Sequence, residues 1–235
     1  MLRKSLVLVL GLVVAGAAWA GPKVPKSAMG DVPQATLDQG QAMVEQIVVL
    51  ESQIADAERE AASEKGGIKT LKLEIKAKEA EIDAEKAKRK VAKKVKDRDR
   101  QSMHEANITT LEAQVVEMEG EHRRASAYVD LIDARAGLLE AEKDIKTAEI
   151  QRLYADTVVE THPEVDINRF DLEATRAEIA FQEARIKVAE AQAKYVSKGG
   201  SLATAERVSE GGTSATGPVI IAPLEPAEGV EEGTE

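Results

Sequence analysis

The chain contains no cysteine. That removes disulfides, thiol nucleophiles, redox pairs and cysteine-based zinc sites, so its shape must come from packing or assembly. Aromatic residues are scarce as well: two Phe, three Tyr and one Trp among 235 residues. A globular domain of this size normally fills its core with such side chains, and here the material is missing. No proline occurs between Pro33 and Pro163, so nothing in that span forbids very long helices. Catalytic signatures are missing too. There is no G-x-S-x-G, no phosphate-binding P-loop and no dinucleotide fingerprint.

What is abundant is charge, at 31% of the chain with a formal net of −10. A composition dominated by Ala, Glu, Lys, Leu and Arg with helical periodicity indicates coiled coil or long helix. The acidic balance argues against general nucleic-acid binding, which needs a basic surface. The expected class is therefore all-α: an elongated antiparallel coiled-coil hairpin or bundle of long helices, with no enzymatic activity, no cofactor and no metal.

The amino terminus reads as an export signal. Arg3 and Lys4 precede an apolar stretch from Leu6 to Val14, and small residues close on Ala18-Trp19-Ala20. That order matches a cleavable secretory segment with an A-x-A site, and the apolar run is shorter than the ~20 residues that span a bilayer. Cleavage is expected after Ala20, leaving no integral membrane segment. A bacterial periplasm suits this ending best, with secretion as the alternative. Residues 21–34, with Pro22, Pro25 and Pro33, are expected to be an extended lead-in. From Gly199 to Glu235, glycine, proline and acidic residues accumulate, and such a stretch is expected to be disordered because it has too little apolar surface to bury.

Between these ends lies the coiled-coil region, 35–198, with helices expected at about 35–65, 68–105, 107–160 and 166–198, some of them continuous. The first seam, at alternating steps of three and four, is Ile47, Leu50, Ile54, Ala57, Ala61, Glu64, Ile68, Leu71, Ile75, Lys78 and Ile82. Such a seam winds one helix on another. Its phase carries through Gly66-Gly67, which favours a continuous helix over a hairpin turn. The second seam is Ile108, Leu111, Val115, Met118, His122, Ala125, Val129, Ile132, Ala136 and Leu139. It is out of phase with the first. Either a stutter lies between them, or Asp97 to Asn107 is a turn with Asn107 as the next N-cap.

The third seam is the cleanest: Ile167, Phe170, Ala174, Ala177, Phe181, Ala184, Val188, Ala191 and Tyr195. Asp166 is the expected N-cap and Gly199-Gly200 the stop. The short link Glu160–Val165 predicts that this helix folds back on its predecessor, pairing over about Leu111 to Lys198. The first seam then needs a partner in the chain or on another copy. Protein partners or self-association through these seams are the expected interactions.

Lys86, Lys88, Arg89, Lys90, Lys93, Lys94 and Lys96 belong to a basic block that runs to Arg100. These are candidate contacts for an anionic lipid or polymer; a solvated helix face is the plainer explanation of such a run. His104, His122 and His162 stand alone, without metal-ligand spacing.

The functional expectation is an exported structural, scaffolding or tethering protein of the cell envelope, with a holdase-type chaperone as the alternative. Long helical arms with a basic region, exported without cysteine, are similar in architecture to the periplasmic chaperones that cage unfolded outer-membrane proteins. That likeness covers about Ala35 to Lys198 and involves no shared residue motif.

Overall fold

The structure, a computed structural model, describes residues 21–210. The signal-like segment 1–20 and residues 211–235 of the tail lie outside the described residues. After a short 3-10 turn at Ala28–Asp31, four helices follow: α1 Gln34–Lys94, α2 Arg98–Val158, α3 Ile167–Ser197 and α4 Leu202–Glu210. The protein is all-α, and its two 61-residue helices reach about 90 Å at 1.5 Å per residue.

α1 and α2 form an antiparallel hairpin along their whole length. The cross-helix pairs Lys65–Asp133 (2.9 Å), Lys86–Glu112 (3.1 Å) and Arg89–Glu105 (2.6 Å) step along it in one register. All eleven positions of the first seam and all ten of the second are buried or half-buried, which is what two helices sharing a single stripe require. The first seam therefore finds its partner within the chain. Gly66 and Gly67 are helical, as preserved phase predicted.

Two expected boundaries are corrected. The helices expected at 35–65 and 68–105 are continuous, but the helix ends at Lys94 rather than near 105, and the next begins at Arg98 rather than Asn107. Asp97 is the N-cap, its carboxylate accepting from the Arg100 amide at 3.1 Å, whereas Asn107 lies inside α2. The turn closes by a Schellman arrangement: the Asp97 amide donates to Ala92 O at 3.1 Å and the Lys96 amide to Lys93 O at 3.2 Å. Lys96 takes the left-handed conformation, φ 59°, where glycine is usual. A lysine there hides the turn from any reading based on glycine and proline.

α3 folds back on α2 as expected, but pairs only with its carboxy-terminal half. Arg152–Asp171 (2.6 Å) marks one end of the contact and Lys194–Asp130 (2.7 Å) the other. Leu111 to Ala125, expected to face α3, face α1 instead. α3 lies along α2 and hardly touches α1. The second half of α2 is consequently covered from two sides, and buries Leu131, Ile132, Ile150, Ala155 and Val158 almost completely. This second interface is why the stripe drifts beyond Leu139.

Both flanking segments differ from expectation. Within 199–235, expected to be disordered, residues 202–210 are helical, and Ala205 and Val208 of α4 are buried in a cluster with Ala57, Ala61, Leu131, Val188 and Tyr195. The lead-in is not simply extended: Val24, Ala28 and Val32 are buried against Val44, Tyr154, Val158 and Phe170. Both segments are short, and they gain order by covering apolar surface that the long helices leave open.

Two predicted helix ends are as expected. The Asp166 carboxylate accepts from the Asn168 amide at 3.1 Å. α3 stops at Gly199, φ 86°, with the Gly200 amide donating to Tyr195 O at 3.0 Å. A methyl group at Gly200 would overlap the Tyr195 ring, just as one at Gly40 would overlap the Tyr154 phenol.

Candidate functional site

The molecule thus has a three-helix base and a two-stranded arm. On α2 the base ends near Tyr128, whose ring lies 5.5 Å from that of Tyr195 and whose hydroxyl donates to Glu60 Oε1 at 2.7 Å. Beyond it, α1 and α2 continue alone for roughly 30 residues, about 45 Å, to the turn at Val95–Asp97. The basic block occupies this distal tip.

From Lys86 to Arg100 there are nine cations and two carboxylates, a net of +7. Four of the nine are engaged within the arm: Lys86 with Glu112, Lys88 with Glu85, Arg89 with Glu105 and Arg100 with Asp97. Lys90, Lys93, Lys94, Lys96 and Arg98 are exposed and have no ion-pair partner among the described residues. Val91 and Val95, one turn apart, stand out among them at 62% and 67% exposed. The seven predicted anionic-partner residues therefore split, with Lys86 and Arg89 paired across the hairpin, Lys88 paired with Glu85 of its own helix, and Lys90, Lys93, Lys94 and Lys96 facing solvent.

All nine predicted seam residues of α3, Ile167 through Tyr195, lie on its covered face, and Phe170, Ala177, Ala184, Val188 and Tyr195 are buried.

A polar layer underneath the tip was not foreseen. His104 is buried, and its Nδ1 lies 2.8 Å from Glu85 Oε2. Lys88 Nζ reaches Glu85 Oε1 at 2.6 Å, and Asn107 Nδ2 donates to Oε2 at 3.2 Å. Bonds from Lys88, His104 and Asn107 hold the Glu85 carboxyl far down, at about 2. Extending the first heptad from Ile82 to Glu85 and Arg89, and the second back from Ile108 to His104, would have found this layer. A polar layer in a seam fixes register at a cost in stability, so its position next to the turn aligns the tip.

At the opposite end, His162 joins the lead-in to the α2–α3 loop, with Nε2 2.7 Å from Asp31 and Nδ1 3.0 Å from Glu164. Hydrogen bonds to Asp31 and then Glu164 raise its pKa above the usual histidine value. A raised folded-state pKa means stabilisation that is complete below the unfolded value of about 6.5 and is lost as pH rises through the folded one. The protection of the Ala28 amide, which donates to Pro25 O at 3.0 Å, is accordingly expected to fall above neutral pH once the intrinsic base-catalysed exchange rate is divided out. In His162→Gln that fall is expected to disappear; a fall unchanged by the substitution would refute the role of His162 in holding the lead-in.

Among the described residues, no group of three or more His, Asp or Glu is arranged to hold a metal ion, and no helix is long and apolar enough to cross a membrane. Comparison with protein-family models, curated proteins and solved structures finds no match.

Proposed function

We propose that this protein is a non-catalytic tether of the cell envelope, exported by its signal-like amino terminus, which holds a cationic tip away from its base against an anionic surface. One observation carries the reading. The five cations without an ion-pair partner among the described residues sit together at the end of a projecting arm rather than along a solvated face. With a whole-chain charge of −10, the residues outside the block carry −17, so the body is repelled by the surface that attracts the tip. That polarity orients the molecule end-on before contact. Attraction is confined to charges within a Debye length, about 8 Å at physiological salt, which favours a protruding cluster. The five cations contribute on the order of 1 kcal/mol each near an anionic lipid surface.

Co-sedimentation with phosphatidylglycerol vesicles tests this. The full chain is expected to bind and release with rising salt. Reversal of Lys90, Lys93, Lys94, Lys96 and Arg98 to Glu is expected to weaken binding on the order of a hundredfold or more. Equal binding by both proteins, or binding to purely zwitterionic vesicles, would exclude the tip as the contact.

The exposed Val91 and Val95 favour a second reading, a holdase whose tip meets apolar and acidic segments of unfolded envelope proteins. It requires suppressed aggregation of such a client by the full chain, and loss of that suppression when both valines become serine.

A further inference from the structure

α3 carries two heptad stripes. The first faces α2. The second runs Leu172, Thr175, Ile179, Gln182, Ile186, Ala189, Ala193, Val196, again at steps of three and four, and every member is exposed. Leu172, Ile179 and Ile186 recur every seventh residue, and each is more than half exposed. Single exposed aliphatic residues need no explanation, but a continuous row at coiled-coil spacing marks a contact surface. Nothing among the described residues covers it.

The charges beside the stripe indicate what does. Along one flank the order is Arg169, Arg176, Glu183, Glu190; along the other, Glu178 precedes Arg185. Both flanks change sign near the middle of the helix. A surface of this kind complements itself when turned end for end. We propose that the outer face of α3 pairs antiparallel with the same face of a second copy of this chain, about a two-fold axis between Ala180 and Phe181.

In that register Arg176 meets the partner's Glu183, Arg169 meets the partner's Glu190, and Glu178 meets the partner's Arg185, each twice by symmetry. Large side chains meet small ones: Leu172 lies on the partner's Ala189, and Ile186 on the partner's Thr175. A parallel pairing would instead set Glu178 against the partner's Glu183, a repulsion that offsets its Arg185–Glu190 attraction. Its other attractive pair would draw on Asp171, which already forms an ion pair with Arg152 of its own chain at 2.6 Å. Antiparallel pairing also points the two arms in opposite directions. From the axis to each turn is about 45 residues of helix, which places the two tips roughly 135 Å apart. If the tip reading above holds, the dimer is a bridge between two anionic surfaces; the pairing itself does not depend on that reading.

Sedimentation equilibrium of the full chain decides the matter. The expected result is a concentration-dependent dimer, and a monomer for Ile179→Glu with Ile186→Glu at unchanged helicity. Arg176→Glu alone is expected to weaken the dimer about tenfold. Adding Glu183→Arg restores the dimer, because residues 176 and 183, which face each other in the antiparallel register, again carry opposite signs. A concentration-independent monomer overturns the proposal, whatever else covers the stripe. A dimer indifferent to the two isoleucine substitutions overturns it as well, and a charge exchange that fails to rescue overturns the antiparallel arrangement.

Discussion

Leu131→Ala is expected to lower the unfolding free energy by about 2–5 kcal/mol, whereas Leu73→Ala is expected to change it by no more than about 0.5 kcal/mol. Both positions are leucines on the same α1–α2 hairpin, and what separates them is the third helix. Leu131 is completely buried, in a cluster that joins Ala57 and Ala61 of α1 to Val188 and Tyr195 of α3 and to Ala205 and Val208 of α4. Alanines dominate its surroundings and bring the helix backbones close, so the space left by truncation has few flexible side chains to fill it. Leu73 is 66% exposed on the two-stranded arm, and its removal creates no cavity. Urea unfolding followed by circular dichroism measures both. Similar losses at the two sites would mean that the base and arm are not packed as described.

The opposite sign is expected at the junction between base and arm. Gly66→Ala combined with Gly67→Ala is expected to stabilise the protein by about 2 kcal/mol, since each glycine in a helix costs about 1 kcal/mol relative to alanine. Both residues are helical, and a methyl group at either would meet no neighbouring atom, so no packing penalty offsets the gain. The result distinguishes the two conformations that the sequence leaves open. Were the pair a hairpin turn with positive φ, alanine would destabilise it instead. A downward shift of the unfolding midpoint would therefore exclude the continuous helix. The pair lies where α3 ends alongside the hairpin, at the place where three helices become two. Its cost is borne by the long seam on either side.

How much of this was legible follows from the range of each interaction. Heptad spacing is local, and it places every residue of the three seams on a covered face, including the unfavourable-looking Glu64, Lys78 and His122. The Asp166 cap and the Gly199-Gly200 stop are local too. The phase shift points to a turn within Asp97 to Asn107 as one of two options. Its actual place at Lys96 was not legible, because its left-handed residue is a lysine inside a block of lysines, and nothing in the residue type distinguishes it from its helical neighbours. The Glu85–His104 layer was half legible: the heptad phase points to both positions, but only the fold brings Glu85 of α1 next to His104 of α2.

The sequence by itself determined that this protein consists of long helices, where most of their seams lie and that its positive charge is concentrated in one block. Periodicity and composition act through neighbours a turn or two away, and need no knowledge of partners. Which seam meets which was decided only by the tertiary structure. Any of the three satisfies the same spacing rule, and the choice depends on where the chain turns and on how much apolar surface each pairing covers. That choice covers the second half of α2 from both sides, closes the ends with α4 and the lead-in, and leaves the turn end of the hairpin projecting as an arm. The basic block is in this way carried to the tip, a position that no count of lysines could assign.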